Sequence, residues 1–443
     1  MTAKPGRYGI EDSLTLSWLK PGYWKTLAKL SAAHPEVALE GSALRFTRYP
    51  FEPASVFPSG KVETGQIAEV NLRQPQVRLE NGEIVFVPQS GKAALLAFVY
   101  RNDVRIEHRG SVWSALLDPF LDTWEEQATI DRQFAWLADL GLDRDSVDAW
   151  RREVAAAMMA YNFGTNLWEW VSLDLYDVLV AQRARLSRSS FADFYSRAMR
   201  LAALDPVTPM WKPSAGNDIA GALFSVLVDW YPRESGTSKD FRERLDRRTE
   251  QIKRLRQKLA AELTSAYSQP HRRYHTLAHV EKCLDELAGV WDYAVGLNEV
   301  RWALVFHDAI YDPQRKDNEA RSADWACRVM DELHRPEDEK ARVRGMILAT
   351  AHSSEPRTSD EALLLDIDLS ILGADEAAFD EYDRSVRAEY SWVPEPEYRQ
   401  ARTKILESFL SRERLYHTLP YRGRCESSAR MNIQRALARL QVK

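Results

Sequence analysis

From residue 41 to about 110, apolar and polar positions alternate in short runs. Val77 and Leu79 alternate with polar neighbours, Asn81-Gly82 follows, and Ile84 and Phe86 resume the alternation. Asn-Gly between two such runs predicts a β-hairpin, because both central residues of a type I′ turn need positive φ. The stretch Ile67 to Leu72 and the apolar run Leu95 to Tyr100 predict further strands, with Val104-Arg105-Ile106 as another.

The period changes near residue 113. Phe134, Leu137 and Leu140 are spaced as a buried helical stripe, as are Leu167, Trp168, Val171 and Leu175. Aromatic stripes at this spacing belong to a core. Pro206, Pro209, Pro213 and Gly216 predict an irregular connection, Ile219 to Trp230 a short helix, and Pro232 to Ser238 a second break. A charged helix is expected from Lys239 to Ser265, with Leu245, Ile252, Leu255, Leu259 and Leu263 on one face and its charges in solvent. Beyond residue 275 the pattern is helical throughout. Its stripes run through Leu277, Val280, Leu284 and Leu287, then Trp302, Val305 and Phe306, and later Tyr398, Ala401, Ile405 and Phe409. The expected fold is multi-domain: a β-rich region over 1–112, a helical middle with a linker over 113–238, and an all-α bundle over 239–443.

Composition narrows the function classes. A chain of 443 residues is long for one core. The net charge of -5 gives no global basic signature, so nucleic-acid binding is not supported by overall charge. Cys283, Cys327 and Cys425 lie far apart with no CxxC, which argues against a zinc ribbon or a disulfide framework and for a reducing, cytoplasmic setting. No apolar run is long enough to span a bilayer, so no membrane partner is expected. Oligomeric state is not readable from the chain.

Seven of the nine histidines fall after residue 270, which directs attention to the C-terminal part. Tyr274-His275-Thr276-Leu277-Ala278-His279 is followed by the doublet His307-Asp308 and then by Asp366-Ile367-Asp368-Leu369-Ser370. His275 and His279 at i and i+4 would share a helix face. A pair at this spacing is often mere packing. His307-Asp308 ends a buried stripe, where a carboxylate needs a partner or a cation; a structural His–Asp bond would serve equally. Asp366 and Asp368 alone read as a solvated turn or a helix cap. Taken together, the order His, His-Asp, Asp can close one metal site in a helical core. The mixed donors suit Mn, Ni, Co, Fe or Zn, and Mg also stays open.

With Tyr274–His279, Phe306–Asp312 and Leu365–Gly373 reading YHxxxH, FHDxxYD and LDIDLSILG, the region from about 240 to 443 resembles the HD-domain superfamily of metal-dependent phosphohydrolases. The resemblance implies His279, His307, Asp308 and Asp368 as metal ligands, with Asp308 also essential to catalysis. It implies His275 as general acid to the leaving oxygen and Asp366 as a carboxylate that orients a ligand. His352 matches a position that serves a second metal or substrate phosphate in some members. Asn318 and Glu319, after the doublet, are candidates for a metal water, and Lys316 and Arg321 for phosphate. The implied activity is phosphoester hydrolysis by metal-activated water, on a nucleotide or related small phosphorylated metabolite. A metal-retaining regulatory module without turnover and an HD-type diiron oxygenase are the rivals. Residues 1–238 carry no GxxxxGK[ST], GxSxG or HExxH motif.

Overall fold

The computed structural model describes residues 22–31, 35–120, 127–165, 173–208 and 239–441. A β-containing N-terminal region precedes a mostly helical body. The chain divides into two compact units, Met1–Pro209 and Met210–Lys443.

In the first unit, helix α1 (Gly22–Ser31) leads into strands β1 (Glu36–Glu40), β2 (Ala43–Thr47) and β3 (Ser59–Glu63), an antiparallel sheet in chain order. Strands β4 (Ile67–Asn71), β5 (Gln76–Leu79) and β6 (Ile84–Phe86) form a second one. The expected hairpin is β5–β6, but its turn differs. Only Gly82 takes positive φ (83°), not Asn81. Gly82 N donates to Leu79 O at 2.9 Å and Leu79 N to Glu83 O at 2.8 Å. This is a three-residue loop closed by a left-handed glycine, in which Asn81 instead accepts from Glu83 N at 3.0 Å.

Leu95–Tyr100 is not a strand. It lies in helix α2 (Lys92–Asn102), with Leu95, Leu96, Phe98 and Val99 buried. Its buried residues share one helix face, but Ala93 and Ala97 on the exposed face are themselves apolar, so the run shows no polar positions to separate helix from strand. Val104–Ile106 makes only an isolated bridge from Ile106 to Val70.

Helices α3 (Val112–Leu117), α4 (Gln127–Asp139), α5 (Arg144–Thr165), α6 (Leu175–Arg185) and α7 (Arg188–Ala202) complete this unit. Trp113 is buried, donates to Ala198 O at 3.2 Å and meets Trp150 edge-on at 5.4 Å. Asp205 accepts from Val112 N at 2.9 Å and pairs with Arg78 of β5 at 3.3 Å, so strand and helix residues share one core. Leu167, Trp168, Val171, Pro209, Pro213, Gly216 and the expected elements from Ile219 to Ser238 lie outside the described residues.

The second unit contains α8 (Lys239–Tyr267), α9 (Leu277–Val290), α10 (Leu297–Phe306), α11 (Asn318–Glu332), α12 (Glu337–Ala349), α13 (Ser359–Asp368), α14 (Glu376–Glu389), α15 (Glu395–Leu410) and α16 (Leu419–Gln441). The five residues Trp302 to Phe306 of α10 are all buried, as are the eight from Asp360 to Ile367 in α13. These two helices deliver their C-terminal ends into the interior. A 3-10 turn, Leu369–Gly373, follows α13 and is held by Asn432 of α16, whose side-chain N–H groups donate to Leu372 O and Ala374 O at 2.9 Å each. Gly373 is required there: a Cβ would stand 2.5 Å from that of Cys425.

The stripe expected on α15 is rotated. Tyr398, Arg402, Leu406 and Phe409 are buried, while Ile405 is 48% exposed. Arg402 takes an interior place because its guanidinium pairs with Asp383 at 3.0 Å. No helix among the described residues is long and apolar enough to cross a membrane.

Candidate metal centre

Three helix ends bring the motif residues together. His279 lies in the first turn of α9, His307 and Asp308 directly follow α10, and Asp368 ends α13. His279 Nε2 is 3.2 Å from His307 Nε2, 3.2 Å from Asp368 Oδ1 and 3.8 Å from Asp308 Oδ2. His307 Nε2 is 3.1 Å from Asp308 Oδ2 and 3.7 Å from Asp368 Oδ1. Four atoms held about 2.1 Å from one ion stand about 3.4 Å apart at tetrahedral angles and about 3.0 Å apart at right angles. Three of the five separations lie in that range and two, 3.7 and 3.8 Å, lie above it; His279, His307 and Asp308 form one compact group that could hold a divalent cation, with Asp368 beside it.

Tautomer and charge agree with this fit. His307 Nδ1 donates to Leu304 O at 2.8 Å, which turns Nε2 toward the cluster; a bound cation would take the place of the Nε2 proton. Burial opposes charge on His307, but the Asp308 and Asp368 carboxylates outweigh it and raise its pKa to about 9. Burial likewise opposes charge on Asp308 and Asp368, and the surrounding imidazoles outweigh it, holding both carboxyls below the usual range. Two anions thus draw positive charge into a pocket whose histidines are 5% and 1% exposed. The carboxylate side chains are about one-sixth exposed, at 17% and 16%, so the centre opens to solvent on their side.

Cys283, one turn beyond His279 on α9, was not anticipated. Its Sγ is 3.8 Å from both His279 ring nitrogens, and His279, Cys283 and Asp368 form a second compact donor group. Burial raises its thiol pKa well above the ordinary value. The i,i+4 spacing of His279 and Cys283 was the available sequence signal.

His275 is not on the face of α9. It precedes the helix, in an irregular segment ending at Thr276. The reason is Glu389, at the end of α14. One Glu389 oxygen accepts from the amides of Arg273, Tyr274 and His275 at 2.7, 2.8 and 3.0 Å, which bends the segment. The other accepts from His275 Nδ1 at 2.7 Å and from Tyr311 Oη at 2.8 Å. Burial opposes the Glu389 charge, but these donors lower its pKa to about 2. Burial also opposes charge on His275, yet Asp308 and Glu389 raise its pKa above the ordinary value. The Tyr311 ring stacks on His275 with centroids 4.2 Å apart.

Arg272, 4% exposed, ties the same segment to the doublet. It donates to His275 O at 2.9 Å, Asp308 O at 2.7 Å and Ala309 O at 3.1 Å. Neither Glu389 nor Arg272 was identified from the sequence.

The remaining candidates divide. His352, with φ 51°, places Nε2 3.1 Å from Asp368 Oδ2, beside the cluster. Among the described residues, Asp366 makes no hydrogen bond to the cluster. It accepts from His417 N at 2.9 Å and from Thr418 N and Oγ1 at 2.6 Å each, fastening the start of α16. Asn318 is also committed elsewhere: it accepts from Asp312 N at 3.1 Å and donates to Asp312 O at 2.9 Å, closing the loop before α11. Glu319 sits in the first turn of α11, Lys316 is exposed, and Arg321 lines a cavity of about 610 Å³ with His271, Arg273 and Trp392. Among the described residues, no hydrogen bond or ion pair joins these three to the cluster. Comparison of the chain with protein-family models, curated proteins and solved structures found no match.

Proposed function

We propose that the second unit is a metal-dependent phosphohydrolase of the HD type, acting on a small phosphorylated metabolite, with nucleotides as the leading substrate class. The observation that carries this reading is the convergence of His279, His307, Asp308 and Asp368 within 3.1–3.8 Å, with a carboxylate-bound histidine beside them. Those four residues would hold a divalent cation, with His352 and Cys283 next to them. When bound, such a cation supplies Lewis acidity toward a phosphoryl oxygen and a nucleophile at neutral pH.

The chain's own residues supply the rest. His275 donates its Nδ1–H to Glu389 in a hydrogen bond, so the second proton of the charged ring sits at Nε2. Glu389, outside the ligand set, favours that charged form, the state required of a general acid. His275 then protonates the leaving oxygen from Nε2 while Glu389 and the Tyr311 ring hold its plane. Arg272 keeps the acid and the ligand doublet in register through the backbone. Phosphoryl transfer asks mainly for such positioning and charge stabilisation.

The test is metal analysis of the purified protein, then a screen of phosphorylated metabolites with added Mn²⁺, Ni²⁺, Co²⁺, Fe²⁺, Zn²⁺ or Mg²⁺. Metal-dependent phosphate release supports the reading. Retained metal with no release from any phosphoester points to a binding module, and O₂ consumption with iron points to an oxygenase.

A further inference from the structure

Beside the metal centre lies a cavity of about 310 Å³ between the segment after α12 and the segment before α16. It is lined by His352, Ser353, Ser354, Arg412 and His417, set against Leu365 of α13. The cavity begins where the centre ends, because His352 lines it and also holds Asp368 Oδ2 at 3.1 Å. Arg412 is fixed in place: one Nη donates to His352 O at 3.1 Å, and the guanidinium lies 4.8 Å from the Phe409 ring. That bond uses one of five guanidinium N–H groups. The single lining carboxylate, Glu355, has a side chain 82% exposed and within 3.6 Å of His417 Nδ1 at the rim. A guanidinium, the His417 imidazole and two hydroxyls make a donor-rich wall. The volume lies at the low end for small-molecule sites.

We infer that this cavity is a second anion subsite, receiving a second phosphate of a substrate whose scissile phosphate is at the metal centre. Arg412 and His417 donate to its oxygens, with Ser353 and Ser354 completing the shell. The inference rests on the hydrolase reading and narrows its substrate class to compounds bearing two separated anionic groups.

Isothermal titration of the full-length, Mn²⁺-loaded protein with fructose 1,6-bisphosphate and fructose 6-phosphate tests it. The two probes differ by one phosphate. The wild type is expected to prefer the bisphosphate by about tenfold or more, as charge-assisted bonds to one phosphate allow. Arg412→Gln should remove most of that preference. Ser354→Asp, which leaves the Arg412–His352 bond in place, should do the same by charge repulsion. No preference in the wild type, or a preference that survives both substitutions, overturns the inference. A wild type that prefers the bisphosphate yet hydrolyses no phosphoester overturns the hydrolase reading and leaves the anion site standing.

Discussion

Replacing Glu389 with Gln removes one negative charge from a side chain that has no solvent exposure. The amide keeps a carbonyl for the three backbone N–H groups, but its amino group then meets His275 Nδ1 and Tyr311 Oη. His275 Nδ1 must become an acceptor, and the ring loses the partner that favours its charged form. Moving a carboxyl from 4.5 to about 2 corresponds to about 3 kcal/mol at neutral pH. For a unit of this size that is a fall of about 6–12 °C in its melting temperature at pH 7. The signs of the pH dependence follow. The Glu389 contribution is present above its unfolded pKa and is lost as pH falls from 4.5 toward about 2. The His275 contribution is present below 6.5 and is lost as pH rises through its raised folded value. The pair therefore contributes most between about 4.5 and 6.5, and the variant should lack that maximum. With an alkyl phosphate such as glycerol 2-phosphate, whose leaving group needs a proton, and Mn²⁺, kcat/KM should fall about 10–100-fold. Its alkaline limb should also move to lower pH, because the general acid deprotonates sooner. Thermal melts from pH 3 to 9 and a pH–rate profile measure both effects. An unchanged melting temperature together with an unchanged alkaline limb would refute the account of Glu389.

Asp308→Ala should purify without metal and without phosphatase activity, since it removes an anionic ligand; metal analysis of the variant decides, and full metal content would make Asp308 structural. His275→Ala should keep its metal and lose about 10²–10⁴-fold in turnover, less on p-nitrophenyl phosphate, whose leaving group needs little protonation. Loss of metal in that variant would instead make His275 a ligand. A fragment starting near Lys239 should fold and retain metal, because all motif residues and their helices lie beyond that point; thermal melting and metal analysis check it, and an insoluble or metal-free product across start points from 230 to 245 would mean that the excluded residues are part of the same core.

Much of the cluster was legible because its residues sit in short motifs at helix ends. His279, His307, Asp308 and Asp368 are each marked by neighbouring apolar residues that bury the helix carrying them. The supporting shell was not legible. Glu389 lies 114 residues from His275 and sits in a helix rich in other charged residues, so nothing local distinguishes it. Arg272 and Arg273 are adjacent in sequence, yet only Arg272 turns inward, a choice made by the carbonyls that receive it. The two aspartates of Asp366-Ile367-Asp368 pointed equally toward the site. One is a cluster residue and the other is spent on the backbone of His417 and Thr418, a division set by the rotation of α13. In the first unit, Leu95–Tyr100 read as a strand because the exposed position Ala97 is apolar too, which hides the helical period.

Arg272 holds carbonyl oxygens, and this has a consequence for experiment. His275 and Asp308 are bound to that guanidinium through their main chain, leaving their side chains out of the clasp. Any residue at either position presents the same oxygen. Exchanging either side chain therefore leaves the Arg272 clasp intact; at Asp308 a variant tests the carboxylate apart from that clasp, whereas at His275 the bond to Glu389 is lost as well.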